Sequence, residues 1–233
     1  MHLGHYFSVI RPALDLDADV LIAEYHAPRA DRKDTDRVFN TLMQFGLSEE
    51  AVAFQSDMFD AMTYFRLLSV AHIGELERMT QYRAAKEKDA HLLVYPVLMV
   101  HDVMGYREVI VGEDQTQHLN YARDLIARYD AAFGTVTPLP VARPEGGRIM
   151  SLSDPAKKMS KSEPDGCLFL DDSEDDIRDK VRAAVTDYDG MVNLTALYRA
   201  LGGEGEIPGM NSAFKPMLAD RIIAALAPAR AVA

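Results

Sequence analysis

The chain has 233 residues, of which 48% are hydrophobic, and its formal net charge is −11. This acidic balance excludes a protein that coats nucleic acid non-specifically, because such a protein needs an excess of Lys and Arg facing the phosphates. It leaves room for a local basic face, such as the group Arg29, Arg32, Lys33 and Arg37.

The length predicts one main domain with a small appended unit, since single cores stop growing near roughly 250 residues. No run of about 18 uncharged apolar residues occurs, and the start lacks a basic segment followed by an apolar one, which predicts a soluble cytoplasmic protein. The single cysteine, Cys167, cannot form an internal disulfide. Without Cys or His pairs at ligand spacing, no protein-ligated metal is predicted.

Elements of two kinds alternate along the first part of the chain. Helical periodicity and short apolar or β-branched runs predict, in chain order, a helix after His5, a strand at 20–23, a helix at 35–45, a strand at 51–54, a helix at 59–70, an apolar run at 95–104, a strand at 108–111 and a helix at 117–129. Gly46 and Gly74 stand where two helices are expected to end. The alternation predicts an α/β fold with a parallel sheet.

The alternation of apolar and helical segments ends near Arg143, where Pro144, Gly146 and Gly147 predict a loop. After Lys-rich and Asp-rich segments, three helices are predicted at 175–186, 192–201 and 215–226. Residues 227–233 are expected to fray.

The segment His2-Leu3-Gly4-His5 precedes a predicted helix. Glycine lets a ligand approach the backbone, and a helix start with two imidazoles can donate hydrogen bonds to a phosphate. A pair of histidines that only decorates the surface is the alternative for this segment taken alone.

A second segment, Lys158-Met159-Ser160-Lys161-Ser162, combines two lysines with two serines and a methionine. Lysines on a mobile loop can hold a triphosphate and stabilise the charge that develops on a leaving pyrophosphate. A solvated lysine loop is the alternative, but it has no need for the serines and methionine in this order.

Together the two segments resemble the HIGH and KMSKS signatures of class I aminoacyl-tRNA synthetases. Four further segments resemble the tryptophanyl branch: GELERMTQ at 74–81, YPVLM at 95–99, VGEDQTQH at 111–118 and AVTD at 184–187. The resemblance extends over about residues 1–226. It implies a Rossmann-like parallel sheet with helices on both faces at 1–150, a KMSKS loop region at 151–170 and a truncated helical unit, similar to an anticodon-binding unit, at 171–233.

The resemblance also assigns roles to single residues. Asp102 matches the carboxylate that accepts the indole N–H of tryptophan. Positions around the amino acid are matched by Met99, Val109, Val111, Tyr95, Gln115 and His26. Positions around ATP are matched by His2, Gly4, His5, Gly112, Asp114, Gln115, Lys158, Met159, Ser160, Lys161 and Ser162, with His2, His5, Lys158 and Lys161 as the catalytic group. The alternatives are a structural ion pair of Asp102 with His101 or Arg107, and a plain core role for Tyr95 and Met99.

The implied reaction is the activation of tryptophan with ATP and Mg²⁺, followed by transfer to tRNA(Trp), in a homodimer. Residues 29–37 are a candidate contact for the acceptor end of the tRNA. Two other functions stay open: an adenylate-forming paralogue that supplies a small molecule, peptide or carrier, and a non-catalytic relic that acts as a binding module.

The chain departs from the family pattern at three places. The pattern has a strand and a Pro-x-Gly turn before the HIGH-like segment and a further helical segment at the end, so the resemblance implies a chain that lacks its first strand and is shortened at both ends. Glu24-Tyr25-His26 stands where the family has Asp-Gln-His.

Overall fold

The structure, a computed structural model, describes residues 1–27, 31–112, 115–144, 149–205, 207 and 213–230. Its helices are α1 (Leu3–His5), α2 (Arg11–Leu16), α3 (Arg32–Gln44), α4 (Gln55–Met58), α5 (Ala61–Val70), α6 (Ile73–Leu76), α7 (Thr80–Ala84), α8 (Ala90–Val103), α9 (Thr116–Phe133), α10 (Glu174–Ala183), α11 (Tyr188–Ala200) and α12 (Phe214–Arg230). Its strands are β1 (Val20–Ile22), β2 (Val52–Phe54), β3 (Glu108–Val111) and β4 (Val141–Pro144). A π-helical turn, Tyr6–Ile10, joins α1 to α2, and single 3-10 turns occupy Glu24–His26, Glu49–Ala51 and Pro164–Gly166. Within these ranges, every helix is too short or too polar to cross a membrane.

The predicted α/β class with parallel strands is confirmed. β1 pairs with β2, with Val20 opposite Val52, and β3 pairs with β4, with Glu108 opposite Val141. The described strands therefore form two parallel pairs. β4 is missing from the sequence prediction, which placed the loop from Arg143 onward, because its side chains at 141–143 are all exposed and give no apolar pattern, and its sequence contains a proline.

The chain divides into two compact units, each built from segments distant in sequence. Unit 1 consists of Met1–Ala18, Arg37–Ser48 and Gly146–Ala233, and unit 2 of Asp19–Asp36 and Glu49–Glu145. The division predicted from the sequence, at 1–150, 151–170 and 171–233, stays a prediction.

The core of unit 2 lies between α5, α8 and α9. Its fully buried side chains include Leu67, Val97, Val100, Leu125 and Ile126. Each such side chain contributes roughly 1.5–3 kcal/mol by leaving water. This core explains the apolar run predicted at 95–104, because residues 95–103 form the C-terminal part of α8 and Met104 follows as its C-cap.

The two glycines proposed as helix ends behave differently. α3 ends at Gln44, and Gly46 follows with a φ of +97°, a conformation that favours glycine. The prediction for Gly74 is wrong, because α5 ends at Val70 and Gly74 lies inside α6. The chain leaves α5 through Ala71, whose backbone is extended.

In unit 1, α10 and α12 pack together, and all three predicted C-terminal helices are present. The ammonium group of Lys215 on α12 donates to the carbonyl oxygens of Arg182 (2.6 Å) and Ala184 (2.7 Å) at the end of α10. A cation there satisfies carbonyls that have no partner within the helix. α12 extends to Arg230, and residues 231–233 lie outside the described ranges. The fraying expected for residues 227–233 stays a prediction.

Gly166 provides a stability test of the loop region in unit 1. A Cβ at this buried position would overlap the hydroxyl groups of Ser151 and Ser153. We expect Gly166→Ala to lower the free energy of unfolding by about 1–3 kcal/mol, as overpacking does. Gly74→Ala is the control, because its Cβ would make only an ordinary 3.5 Å contact with Arg78. Equal unfolding midpoints for the two variants in a urea titration would contradict this account of Gly166.

Candidate active site

The histidine pair at the start of the chain is held by its own backbone. His2 caps α1: its Nδ1 accepts from the N–H of Gly4 at 3.0 Å, while the N–H of His2 donates to Nδ1 of His5 at 3.2 Å. Because both Nδ1 atoms accept, the neutral rings carry their protons on Nε2. Each imidazole thus keeps one Nε2–H group that can donate to an anionic ligand.

The lysine loop forms a short antiparallel pairing with residues before it. Met159 donates its N–H to the carbonyl of Ile149 (3.0 Å), and Ser151 donates to that of Lys157 (2.8 Å). Met159 is 2% exposed, whereas Lys158 and Lys161 on either side are exposed. The buried methionine therefore anchors the loop and leaves the two lysines free to face a ligand.

Three further residues of unit 1 that were predicted to contact ATP, Gly4, Ser160 and Ser162, lie in the histidine segment or in the lysine loop. Gly4 has no room for a side chain, because a Cβ would lie 2.7 Å from Cε1 of His2. The hydroxyls of Ser160 and Ser162 lie 3.0 Å apart and are both exposed. Among the residues predicted around ATP in the lysine loop, Lys158, Ser160, Lys161 and Ser162 are therefore on the surface, whereas Met159 is buried.

Electrostatics connects the histidines to the lysine loop. Burial, His5 and Lys161, in that order, lower the pKa of His2 to about 4, with Lys158 adding to the effect. Burial and then Lys161 also lower the pKa of His5. His2, His5, Lys158 and Lys161, called the histidine–lysine cluster below, thus share one electrostatic environment.

The cluster has no neutralising carboxylate among the described residues. Lys157 pairs with Asp154 (3.1 Å) and Glu163 (3.2 Å), but no described carboxylate lies within 4.0 Å of Lys158 or Lys161. Two unpaired cations beside two imidazole donors form a site that attracts an anion.

The low pKa of His2 predicts a pH effect on stability. Since the folded pKa of about 4 lies below the unfolded value of 6.5, the unfolded chain binds more protons between these values. Stability therefore falls as the pH drops from 6.5 toward 4. His2→Asn keeps a side chain that caps helices well and removes the titration. We expect its urea midpoint to change less with pH than that of the wild type; parallel curves would exclude His2 as the source.

In unit 2, Asp102 on α8 is the centre of a polar cluster. Its side chain is 8% exposed; Oδ2 lies 2.7 Å from Nε2 of His26, and Oδ1 accepts from Nε2 of Gln55 at 2.6 Å. Nδ1 of His101 lies 3.7 Å from Oδ1. We call Asp102, His26, Gln55 and His101 the Asp102 cluster.

The Asp102 cluster favours the charged carboxylate. Burial raises the pKa of Asp102, but the nearby His101 ring and the hydrogen bonds from His26 and Gln55 outweigh it, so the pKa is below its ordinary value. Among the described residues, only His26 and His101 place basic nitrogens within 4.0 Å of the carboxylate. The alternative of an ion pair with Arg107 is therefore wrong, and the contact with His101 is present.

A cavity of about 180 Å³ borders the cluster. It is lined by Leu21, Gln55, Met58, Asp60, Thr63, His101, Asp102, Met104 and Tyr106. Of the residues predicted to surround the amino acid, only Asp102 is in this lining.

The other predicted residues of unit 2 have different surroundings. The ring of Tyr95 stands edge-on to that of His26, with centroids 4.5 Å apart. Met99 belongs to the apolar core, with Val111 packed against it. Gln115 caps α9 and donates its N–H to the carbonyl of Gly112 (3.0 Å). Asp114 lies outside the described residues, as does Arg29 of the basic group at 29–37.

Gln55 was not among the predicted residues. It is 1% exposed and follows β2 directly. In α/β proteins, ligands bind at the carboxyl ends of the parallel strands. The position of a polar residue directly after a predicted strand was therefore the sequence signal that could have identified Gln55.

The histidine–lysine cluster belongs to unit 1 and the Asp102 cluster to unit 2.

Comparisons with known proteins identify the family of the chain. The profile of tRNA synthetases class I (W and Y) matches residues 1–203. The tryptophan–tRNA ligase of Mycoplasma pneumoniae is 33% identical, with 86% of this chain and 70% of the relative covered.

Solved structures are similar over nearly the whole chain. The tryptophanyl-tRNA synthetase of M. pneumoniae superposes with a TM-score of 0.83 at 29% identity, covering 98% of this chain and 82% of that one. The Campylobacter jejuni enzyme, solved with ADP and tryptophan, gives 0.75 at 27% identity, covering 99% and 83%. With a matching profile over most of its length and these relatives, the chain belongs to the class I tRNA synthetase family of tryptophanyl and tyrosyl enzymes, in its tryptophanyl branch.

Proposed function

We propose that the chain activates tryptophan with ATP to tryptophanyl-adenylate and transfers the tryptophanyl group to tRNA(Trp). The observation that carries this proposal is the histidine–lysine cluster, in which Lys158 and Lys161 lack a carboxylate partner among the described residues. Membership in the tryptophanyl branch supports the choice of amino acid.

In the first step, a carboxylate oxygen of tryptophan attacks the α-phosphorus of ATP. A new P–O bond forms, the bond to the bridging oxygen breaks, and pyrophosphate leaves with the electron pair. The cluster's task is electrostatic: Lys158 and Lys161 stabilise the negative charge on the leaving pyrophosphate. His2 and His5, whose Nδ1 atoms accept backbone N–H groups, are proposed to donate from Nε2 to phosphate oxygens.

Neutral imidazoles suit this task over a wide pH range. Because burial and neighbouring cations keep the pKa of His2 near 4, the ring does not change charge around neutral pH. The positive charge of the site then does not depend on the imidazole of His2. Gly112 and Asp114 are proposed to contact the ribose and adenylate, as the family pattern implies.

The Asp102 cluster is proposed to recognise the tryptophan side chain. An ionised, buried carboxylate accepts an indole N–H, and an amino acid without that donor leaves it unpaired. Tyr95 and His26, in ring contact, and Gln115 are proposed to bind near the α-amino group. Met99 and Val111 supply apolar surface.

Mg²⁺ is proposed to enter with ATP and to neutralise phosphate charge when bound. The described residues contain no group of three or more His, Cys, Asp or Glu side chains arranged for a metal. Phosphate oxygens and water commonly supply most Mg²⁺ ligands, so we assign the ion to the triphosphate.

The second step needs the 3′-terminal hydroxyl of tRNA as the acyl acceptor. The exposed Arg32 and Lys33 at the start of α3 support a contact with phosphates of the acceptor end. A homodimer is supported by large apolar side chains exposed in unit 2, with Met62 and Phe65 on one face of α5. The proposed substrate, tRNA, implies a cytoplasmic location.

The test is amino-acid-dependent exchange of pyrophosphate into ATP with each of the twenty amino acids, followed by charging of tRNA(Trp). Exchange with tryptophan alone, together with charging, is the expected result. Exchange without charging would indicate that the acceptor is not tRNA and is another molecule, such as a small molecule, peptide or carrier. No exchange with any amino acid would indicate a non-catalytic binding module.

A further inference from the structure

Gln55 links the carboxylate of Asp102 to a second part of unit 2. Its amide oxygen accepts from the backbone N–H of Tyr25 at 2.7 Å, and its amide nitrogen donates to Oδ1 of Asp102 at 2.6 Å. The side chain is almost fully buried, at 1% exposure, so water cannot replace either bond.

The contact with Tyr25 determines which end of the amide faces Asp102. A backbone N–H only donates, so the amide oxygen must point to it, and the NH₂ group must point to the carboxylate. Gln55 is therefore a dedicated donor to Asp102. A donor in this position favours the ionised carboxylate over the protonated one.

Gln55 also controls the second donor to Asp102. Tyr25 lies in the 3-10 turn Glu24–His26, and His26 in the same turn contacts Oδ2 at 2.7 Å. One buried amide thus holds both the carboxylate and the turn that carries His26. β1 and β2 are paired in parallel, so the turn that follows β1 and Gln55, which follows β2, lie at the same carboxyl-terminal edge of this strand pair.

We propose that Gln55 is a positioning residue that keeps the Asp102 carboxylate ionised and aimed for the indole N–H of tryptophan. This inference rests on the proposed function for its substrate. The other titratable groups around the carboxylate are His26 and His101, with Asp60 and Tyr106 lining the adjoining cavity.

Gln55→Met tests the donor, because methionine has a similar length and no amide. We expect the KM for tryptophan in pyrophosphate exchange to rise about tenfold or more, the effect of losing a hydrogen bond to a charged group, with kcat nearly unchanged. The KM for β-(3-benzothienyl)alanine, which has sulfur in place of the indole N–H, should stay the same. Gln44→Met at the half-buried end of α3 is the matched control.

Gln55→Glu adds a pH readout. When the introduced carboxyl group is protonated it still donates to Asp102, whereas its ionised form repels the Asp102 carboxylate. We expect the KM for tryptophan to rise more steeply with pH in this variant than in the wild type between about pH 5.5 and 8.5, because only the variant carries the introduced carboxyl group. A purely structural role would lower kcat or the unfolding midpoint and leave the pH dependence of the KM as in the wild type, and equal losses for tryptophan and the benzothienyl compound would overturn the proposal.

A readout independent of catalysis separates this inference from the proposed function. The pKa of Asp102 can be measured by an NMR titration of protein labelled with ¹³C at aspartate Cγ, with Asp102→Asn used to assign the signal. We expect this pKa to be higher in Gln55→Met than in the wild type. An unchanged pKa would refute the role of Gln55. Failure of the wild type to use tryptophan would instead refute the proposed function, and the carboxylate titration would still decide the role of Gln55.

Discussion

Replacing Lys161 with alanine is expected to slow tryptophan activation by about 100- to 1,000-fold, the usual effect of removing one donor to developing charge. Lys161 lies in the histidine–lysine cluster without a described carboxylate partner, and it lowers the pKa of both His2 and His5. Since its charge acts on the leaving pyrophosphate, tryptophan binding should hardly change. Single-turnover rates of adenylate formation and an equilibrium titration with tryptophan measure the two effects separately.

Lys157→Ala is the matched control for this experiment. Lys157 belongs to the same loop, but its ammonium group is already paired with Asp154 and Glu163. We expect less than about a threefold change in rate, because exposed ion pairs contribute little. Equal rate losses in the two variants would show that the loop responds to any lost lysine and would remove Lys161 from the mechanism.

Asp102→Ala is expected to lower kcat/KM for tryptophan by about 100-fold relative to phenylalanine, since a hydrogen bond to a charged group is worth about 1.5–3 kcal/mol. Phenylalanine has no indole N–H and therefore gains nothing from the carboxylate. Competitive pyrophosphate exchange with the two amino acids gives the ratio directly.

Two further variants test whether the change in selectivity comes from the lost charge of Asp102 or from a general disturbance of the site. Asp102→Asn keeps the shape of the side chain and one acceptor oxygen for Gln55, while its NH₂ group can donate to Nε2 of His26, so it separates loss of charge from disruption of the cluster. Asp57→Ala changes an exposed carboxylate on the neighbouring α4 and should leave selectivity unchanged. Equal losses for tryptophan and phenylalanine in Asp102→Ala would exclude an indole-binding role.

The elements that could be predicted are those with local signals. α9 and α10 follow their apolar periodicity, and β1 to β3 coincide with short β-branched runs. Prediction was wrong at Gly74, where the backbone turns out of α5 before the glycine is reached. It also missed β4, whose side chains at 141–143 are exposed and whose sequence ends in Pro144. At both places the local composition does not determine the path of the backbone.

The sequence by itself determined the α/β class, the family and the residues of the lysine loop, because these depend on periodicity and on residues adjacent in the chain. The tertiary structure alone decided that Lys157 is paired while Lys158 and Lys161 have no carboxylate partner among the described residues, and that Gln55 and His26 hold Asp102. These facts depend on contacts between positions as far apart as Gln55 and Asp102, and on burial that shifts the pKa of His2. Neither the distance between such positions nor their exposure to water follows from spacing along the chain.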